Sequence, residues 1–108
     1  MALHIFRVVV HGQFRDLDSA TRERLRAAAA DHEPASTRFT RDGHLTYDAT
    51  LSTFAFRYEL REHDEGPAEA ERSVTERAVA MTAERLADAG VTHGELRTRV
   101  TDMADVWR

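Results

Sequence analysis

The chain has 108 residues, a net charge of −4, an apolar fraction of 42% and a charged fraction of 31%. Such a chain buries roughly 65% of its unfolded surface, enough for one modest core without metal or disulfide staples. The absence of cysteine excludes disulfides, thiolate metal ligands and cysteine nucleophiles, and the acidic balance argues against a nucleic-acid binder, which is normally basic.

The opening Met-Ala-Leu-His-Ile-Phe-Arg carries no signal-peptide pattern, and no segment approaches the length of a membrane span, so a cytoplasmic protein with no membrane partner is expected. Leu3 to His11 is rich in β-branched and aromatic residues and ends at Gly12, which predicts a strand. Both of its parities are largely apolar, the mark of a central strand covered on both sides. Leu17-Asp18-Ser19-Ala20 opens a helix with Asp18 as N-cap. Leu17, Thr21, Leu25, Ala28 and His32 form its inner stripe, and it stops before Pro34.

A second strand is expected from Thr37 to Arg41. Asp42-Gly43 is then the hairpin turn, because both residues tolerate positive φ. Beyond it Leu45, Tyr47, Ala49 and Leu51 share one parity, while Phe54, Phe56, Tyr58 and Leu60 share the other. The register must shift by one near 50–53, through a β-bulge, which we favour, or a tight turn that makes two strands and adds a fifth to the sheet. Glu62 to Pro67 is a polar connection, with Pro67 in the first turn of a helix that runs to about Ala89. Ala70, Val74, Ala78, Met81, Leu86 and Ala89 form its apolar face, and Gly90-Val91 reads as a Schellman stop. Glu95 to Met103 alternates as a last strand with Leu96 and Val100 inward, and Trp107 stands near the end.

The order β-α-β-β-α-β predicts an α+β fold: a single ferredoxin-like domain over 1–108, with a four-stranded antiparallel sheet and two helices on one face. Phe6, Val8, Val10, Phe39, Tyr47, Phe54, Phe56, Tyr58, Leu96 and Val100 would face the helices. The open face would carry Ile5, Arg7, Val9, His11, Arg38, Thr40, Arg57, Glu59, Arg97, Arg99 and Thr101.

All fifteen basic residues are arginine, and the chain has no lysine, no asparagine and a single isoleucine, Ile5. These depletions fall on A/T-rich codons and point to a high-GC bacterial genome, so most arginines reflect codon usage. Arg7, Arg57, Arg97 and Arg99 nevertheless converge on the open face. The plain reading is a solvated or dimer-facing surface of Arg–Glu pairs, involving Glu59 and Glu95. The functional reading is a ligand site formed by Arg7, His11, Arg57, Arg97 and Arg99, since arginine matches carboxylate and phosphate in bidentate fashion. Single-stranded nucleic acid is disfavoured because the aromatics are expected to point inward. The six histidines show no metal-ligand spacing, so no metal and no cofactor are expected. His11 is the one candidate acid or base; no nucleophile elbow or phosphate loop is present.

Phe6-Arg7-Val8-Val9-Val10-His11-Gly12-Gln13-Phe14, the start of the first helix from Leu17-Asp18 to Arg22-Glu23-Arg24-Leu25, and Phe39 to Asp48 together carry a resemblance, along with Phe54-Ala55-Phe56-Arg57-Tyr58. The chain resembles a family of short uncharacterised actinobacterial proteins, and Gly43-His44-Leu45-Thr46-Tyr47-Asp48 is the most specific part of the likeness. That resemblance implies no activity and no catalytic residues. The architecture is also similar to that of dimeric α/β-barrel proteins, an analogy of fold alone. The first functional reading is a homodimeric small-molecule binding or accessory domain for an anionic or aromatic ligand. The alternative is a cofactor-independent enzyme, cyclase- or monooxygenase-like, acting on an aromatic or polyketide-like natural-product intermediate.

Overall fold

Two strands of 12 residues each, β1 (Ala2–Gln13) and β3 (Thr53–Asp64), pair antiparallel along their whole length, from Ala2 opposite Asp64 to Gln13 opposite Thr53. The computed structural model describes residues 2–64 and 66–106, so Trp107 and Glu65 lie outside the described residues. Around the central pair run α1 (Ser19–Ala27), 3-10 turns at Ala29–His32 and Pro34–Ser36, β2 (His44–Tyr47), α2 (Pro67–Asp88), β4 (Arg97–Asp102) and α3 (Met103–Val106). The sheet is open, four-stranded and antiparallel, in the order β2-β3-β1-β4. The expected α+β class holds, with α3 as an additional short helix.

Alternation decides the two faces, because successive side chains on a strand point to opposite sides. Phe6, Val8 and Val10 of β1 stand opposite Leu60, Tyr58 and Phe56 of β3, and all six are buried. Each of these side chains contributes roughly 1.5–3 kcal/mol by leaving water. Tyr47 of β2, opposite Phe54, and Val100 of β4, opposite Val8, extend this layer to both edges.

Helix α2 covers the layer with Ala70, Val74, Ala78, Thr82 and Leu86, a strict every-fourth-residue line. Met81, expected on this face, is partly buried against the same core, and Thr82 joins the fully buried line beside it. Its hydroxyl donates to the Ala78 carbonyl at 2.8 Å and accepts from the Tyr58 hydroxyl at 2.7 Å, so no polar atom of the pair is left unbonded in the core. The helix ends as expected: Gly90 has φ 67°, its N–H reaches the Ala87 carbonyl, and the Val91 N–H reaches the Leu86 carbonyl. Helix α1 joins the same face. Asp18 caps it by accepting from the Thr21 N–H at 2.7 Å, Thr21 is buried, and the Leu25 carbonyl accepts from the Tyr47 hydroxyl.

Three expectations are corrected. Residues 37–41 form no strand; Thr40 alone bridges Tyr58, in parallel, after the chain has been diverted by the turn at Pro34. Phe39 consequently leaves the helix-facing layer and lies beneath the Arg7 guanidinium, 4.8 Å from its ring centre, on the other face. The register shift near 50–53 is a tight turn and not the favoured bulge. Leu51 adopts φ 56° there, and its N–H bonds to the Asp48 carbonyl. That turn makes β2 and β3 the hairpin, but no fifth strand results, because the segment before Asp42 is not one. Finally, β4 begins at Arg97 and gives way at Met103 to α3.

Asp42-Gly43 still turns the chain, now into β2. Gly43 has φ 90°, and a β-carbon there would meet the Tyr58 ring at 2.4 Å. Gly90 shares the positive φ but has open space around it. Gly90→Ala should therefore cost about 1 kcal/mol from the backbone alone, and Gly43→Ala about 3 kcal/mol through added overpacking against Tyr58. Urea unfolding of the two variants checks this; equal losses would contradict the packing role of Gly43.

Candidate functional site

The face away from α2 is a grid whose rows follow from strand register. One row runs Arg99, Val9, Arg57, His44 from β4 to β2, and the next runs Arg97, His11, Ala55, Thr46. On the other side of the first row stand Thr101, Arg7 and Glu59, followed by Ile5 opposite Arg61. In a face of long side chains Ala55 is a gap. A cleft of about 540 Å3 opens there, walled by His11, Gln13, Thr46, Arg57 and Arg97, with Arg15 and Glu95 from the flanking loops.

The segment between α1 and β2 runs past the β2 edge and closes one side of this cleft. His32 begins the passage, its Nδ1 2.9 Å from the Leu45 carbonyl oxygen and its ring stacked on Tyr47 at 5.2 Å. Pro34 lines the cleft, and Thr40 bonds to the backbone of Arg57 and Glu59. His44 stands at the edge of the sheet where this segment passes. Burial, and then the charge of Arg38, hold its pKa below the ordinary 6.5; His32 and Arg57 push the same way, and a backbone bond to Ser36 opposes them. Its Nε2 is buried without a hydrogen-bond partner among the described residues. A neutral imidazole tolerates that position far better than an imidazolium among three other basic groups.

The arginines differ in what holds them. Arg57 donates from Nη1 to Thr46 Oγ1 at 2.6 Å, and Thr46 is only 3% exposed, so this guanidinium is tied to a fixed point of the sheet. Arg7 pairs with Glu59 at 3.2 Å while lying over Phe39. Among the described residues no ion pair is formed by Arg15, Arg57, Arg97 or Arg99. Of the two carboxylates on the cleft, Asp48 reaches back to the Ser52 N–H at 3.4 Å, and Glu95 stands on the exposed approach to β4.

Of the five residues expected to form a site, the structure brings His11, Arg57 and Arg97 to one cleft. Arg7 is held one row away by Glu59 and Phe39, and Arg99 shares the face without lining the cleft. The Arg–Glu pairing expected on the plain reading is real for Arg7 and Glu59, but Glu95 is in no ion pair among the described residues. Sequence reading missed Arg15, Thr46, Ala55 and the neighbouring His44. Thr46 and His44 alternate with Leu45 and Tyr47, so their position follows once residues 48–52 are read as a turn; nothing in the sequence marks Arg15. Phe39 places one aromatic ring on the open face, contrary to the expectation that all point inward. Among the described residues no group of three His, Asp or Glu side chains could hold a metal ion, and no helix is long and apolar enough to cross a membrane.

Comparison with protein families matches residues 1–107 to one described as a family of unknown function (DUF6204). No curated protein and no solved structure matches the chain.

The state of His44 sets a pH dependence. Its folded pKa lies below the value in the unfolded chain, so the unfolded chain binds the proton more readily, and stability falls as pH drops through about 6.5 toward the folded value. Melting temperatures at about pH 7.5 and about pH 5.5 should differ less in His44→Gln than in the unaltered protein. An unchanged difference would show that other groups carry the acid sensitivity.

Proposed function

The chain belongs to this family of unknown function, and we propose that it is a small-molecule binding domain whose open-face cleft holds an anionic group. One observation carries the reading: the Arg57 guanidinium is anchored to buried Thr46 at the edge of a cleft that also receives Arg97 and Arg15, none of them in an ion pair among the described residues. Cations assembled without carboxylate partners repel one another, and a carboxylate or phosphate relieves that repulsion while accepting paired N–H bonds. Three guanidinium groups around the cleft outnumber its two carboxylates, Asp48 and Glu95.

The same proposal takes residues 1–108 as one domain of the ferredoxin-like plait. Its support is the element order together with the central β1–β3 pair flanked by β4 and β2. It includes a homodimer through the open face, because half-exposed Leu3 and partly exposed Ile5 and Val9 give β1 an apolar line that helix α2 cannot cover. Leu3 and Ile5 lie at the opposite end of β1 from His11, so a contact centred on them leaves room for the cleft, with Val9 at its margin opposite Arg57. The codon-biased composition supports a bacterial setting, and a chain without cysteine suits a reducing cytoplasm. A catalytic variant of the reading is favoured by His11 sharing the cleft with Arg57 and Arg97. There His11 would act as acid or base on an aromatic or polyketide-like anion without a cofactor.

Phosphate or sulfate should raise the melting temperature above that in chloride at matched ionic strength, with about 2.7 kcal/mol gained at a hundredfold excess over Kd. Arg97→Ala should abolish the gain and cost little stability without the anion. No anion-specific shift in the unaltered protein would end the proposal. For the dimer, light scattering should return twice the chain mass; a monomer mass at high protein concentration would contradict it.

A further inference from the structure

We infer that the cleft takes a molecule with an anionic group at each end, an inference that rests on the anion-binding reading and narrows it to a class of ligand. Register places Thr46 opposite Ala55, Ala55 opposite His11 and His11 opposite Arg97, so these four residues form one row across the open face. Three strand-to-strand steps put the Cα atoms of Thr46 and Arg97 roughly 14 Å apart. Arg57 starts from the neighbouring row, but its bond to Thr46 Oγ1 at 2.6 Å holds its guanidinium at the β2 end. Thr46 is buried and cannot follow a ligand across the face.

Arg97 stands at the other end of the row, exposed on the edge strand and lining the same cleft. The methyl of Ala55 and the ring of His11 form the floor between them. The Arg57 guanidinium is thus tied at the β2 end of the cleft, while Arg97 rises from its β4 end and Arg15 enters from the flanking loop. A single carboxylate at Arg57 leaves Arg97 unsatisfied, and one at Arg97 leaves Arg57. An elongated dianion satisfies both. Strand side chains stand roughly perpendicular to the sheet, so subtracting a contact of about 2.8 Å at each end leaves roughly 8 Å between the outer anionic oxygens, the span of about four to six spacer atoms or one benzene ring. Asp48 and Glu95, at the margins of the cleft, oppose a third negative group.

Calorimetric titration at fixed ionic strength with benzoate and terephthalate, and with valerate and adipate, tests the inference. Each dicarboxylate should bind about tenfold tighter than its monocarboxylate, because the second contact is made without a second loss of free motion. Arg97→Ala, an exposed change that spares the core, should abolish the tenfold advantage of terephthalate over benzoate. Thr46→Val, which unties Arg57, should weaken both. If monocarboxylates and dicarboxylates bind equally well, the two-ended ligand is wrong and a single-anion cleft stands. If none of the four binds and phosphate gives no stabilisation, both readings fall.

Discussion

The pairing of β1 with β3 is the constraint on which the rest of the molecule depends. Twelve consecutive residue pairs make a two-stranded ribbon, which is not stable in water unless one face is covered. Phe6, Val8, Val10, Phe54, Phe56, Tyr58 and Leu60 make that face too apolar for solvent, and the 22 residues of α2 are long enough to lie along it. Only then do the edges matter. β4 pairs with the Phe6–His11 half of β1, and β2 pairs with the Phe54–Arg57 portion of β3. Both edge strands therefore sit at the same end of the ribbon, and the face opposite α2 is four strands wide only there.

That asymmetry makes a site. Where the sheet is two strands wide, Leu3 is half-exposed and Ile5 partly so, and α3 packs against β1 there. Where it is four strands wide, Arg97, His11, Ala55 and Thr46 line up across it, and the segment carrying Pro34 closes one side. The small residue at Ala55 creates the depression, and the buried hydroxyl of Thr46 holds Arg57 to its rim. Arg7 belongs to a different arrangement, in which Glu59 neutralises it and Phe39 supports it. A face of many arginines is thus divided into a region where Arg7 is paired with Glu59 and a cleft where three guanidinium groups outnumber two carboxylates, none of them in an ion pair among the described residues.

Much of this was legible in the sequence where local chemistry is unambiguous. The Asp18 cap, Pro67 in the first turn of α2, the Gly90-Val91 stop and the alternation of β1 and β3 all follow from short-range rules, and the structure follows them. Residues 37–52 misled for a physical reason. Parity assigns faces only to a regular strand, and here one predicted strand is an irregular crossing that, among the described residues, pairs with the sheet at Thr40 alone, while Leu51 turns the chain at positive φ without being glycine. Met81 packs on the core as its spacing indicates, but Thr82 beside it looks polar until the Ala78 carbonyl and the Tyr58 hydroxyl satisfy it. His11, Arg57 and Arg97 could be named because alternation alone places them. Thr46 and Ala55, which give the cleft its anchor and its depth, are ordinary strand residues until the register of three strand pairs is known.

Three guanidinium groups outside any ion pair among the described residues, those of Arg15, Arg57 and Arg97, meet at one cleft, and an anion bound there must act on them first. Nitrogen-15 NMR of the arginine Nε–Hε groups during a phosphate titration at constant ionic strength reads that effect residue by residue. Saturable shifts are expected at Arg57 and Arg97, with backbone amides of His11, Thr46 and Ala55 moving in step, while Arg7 stays with Glu59 and the arginines of α2 do not respond. Shifts spread evenly over the arginines, or saturating first on α2, would contradict an anion site at the cleft.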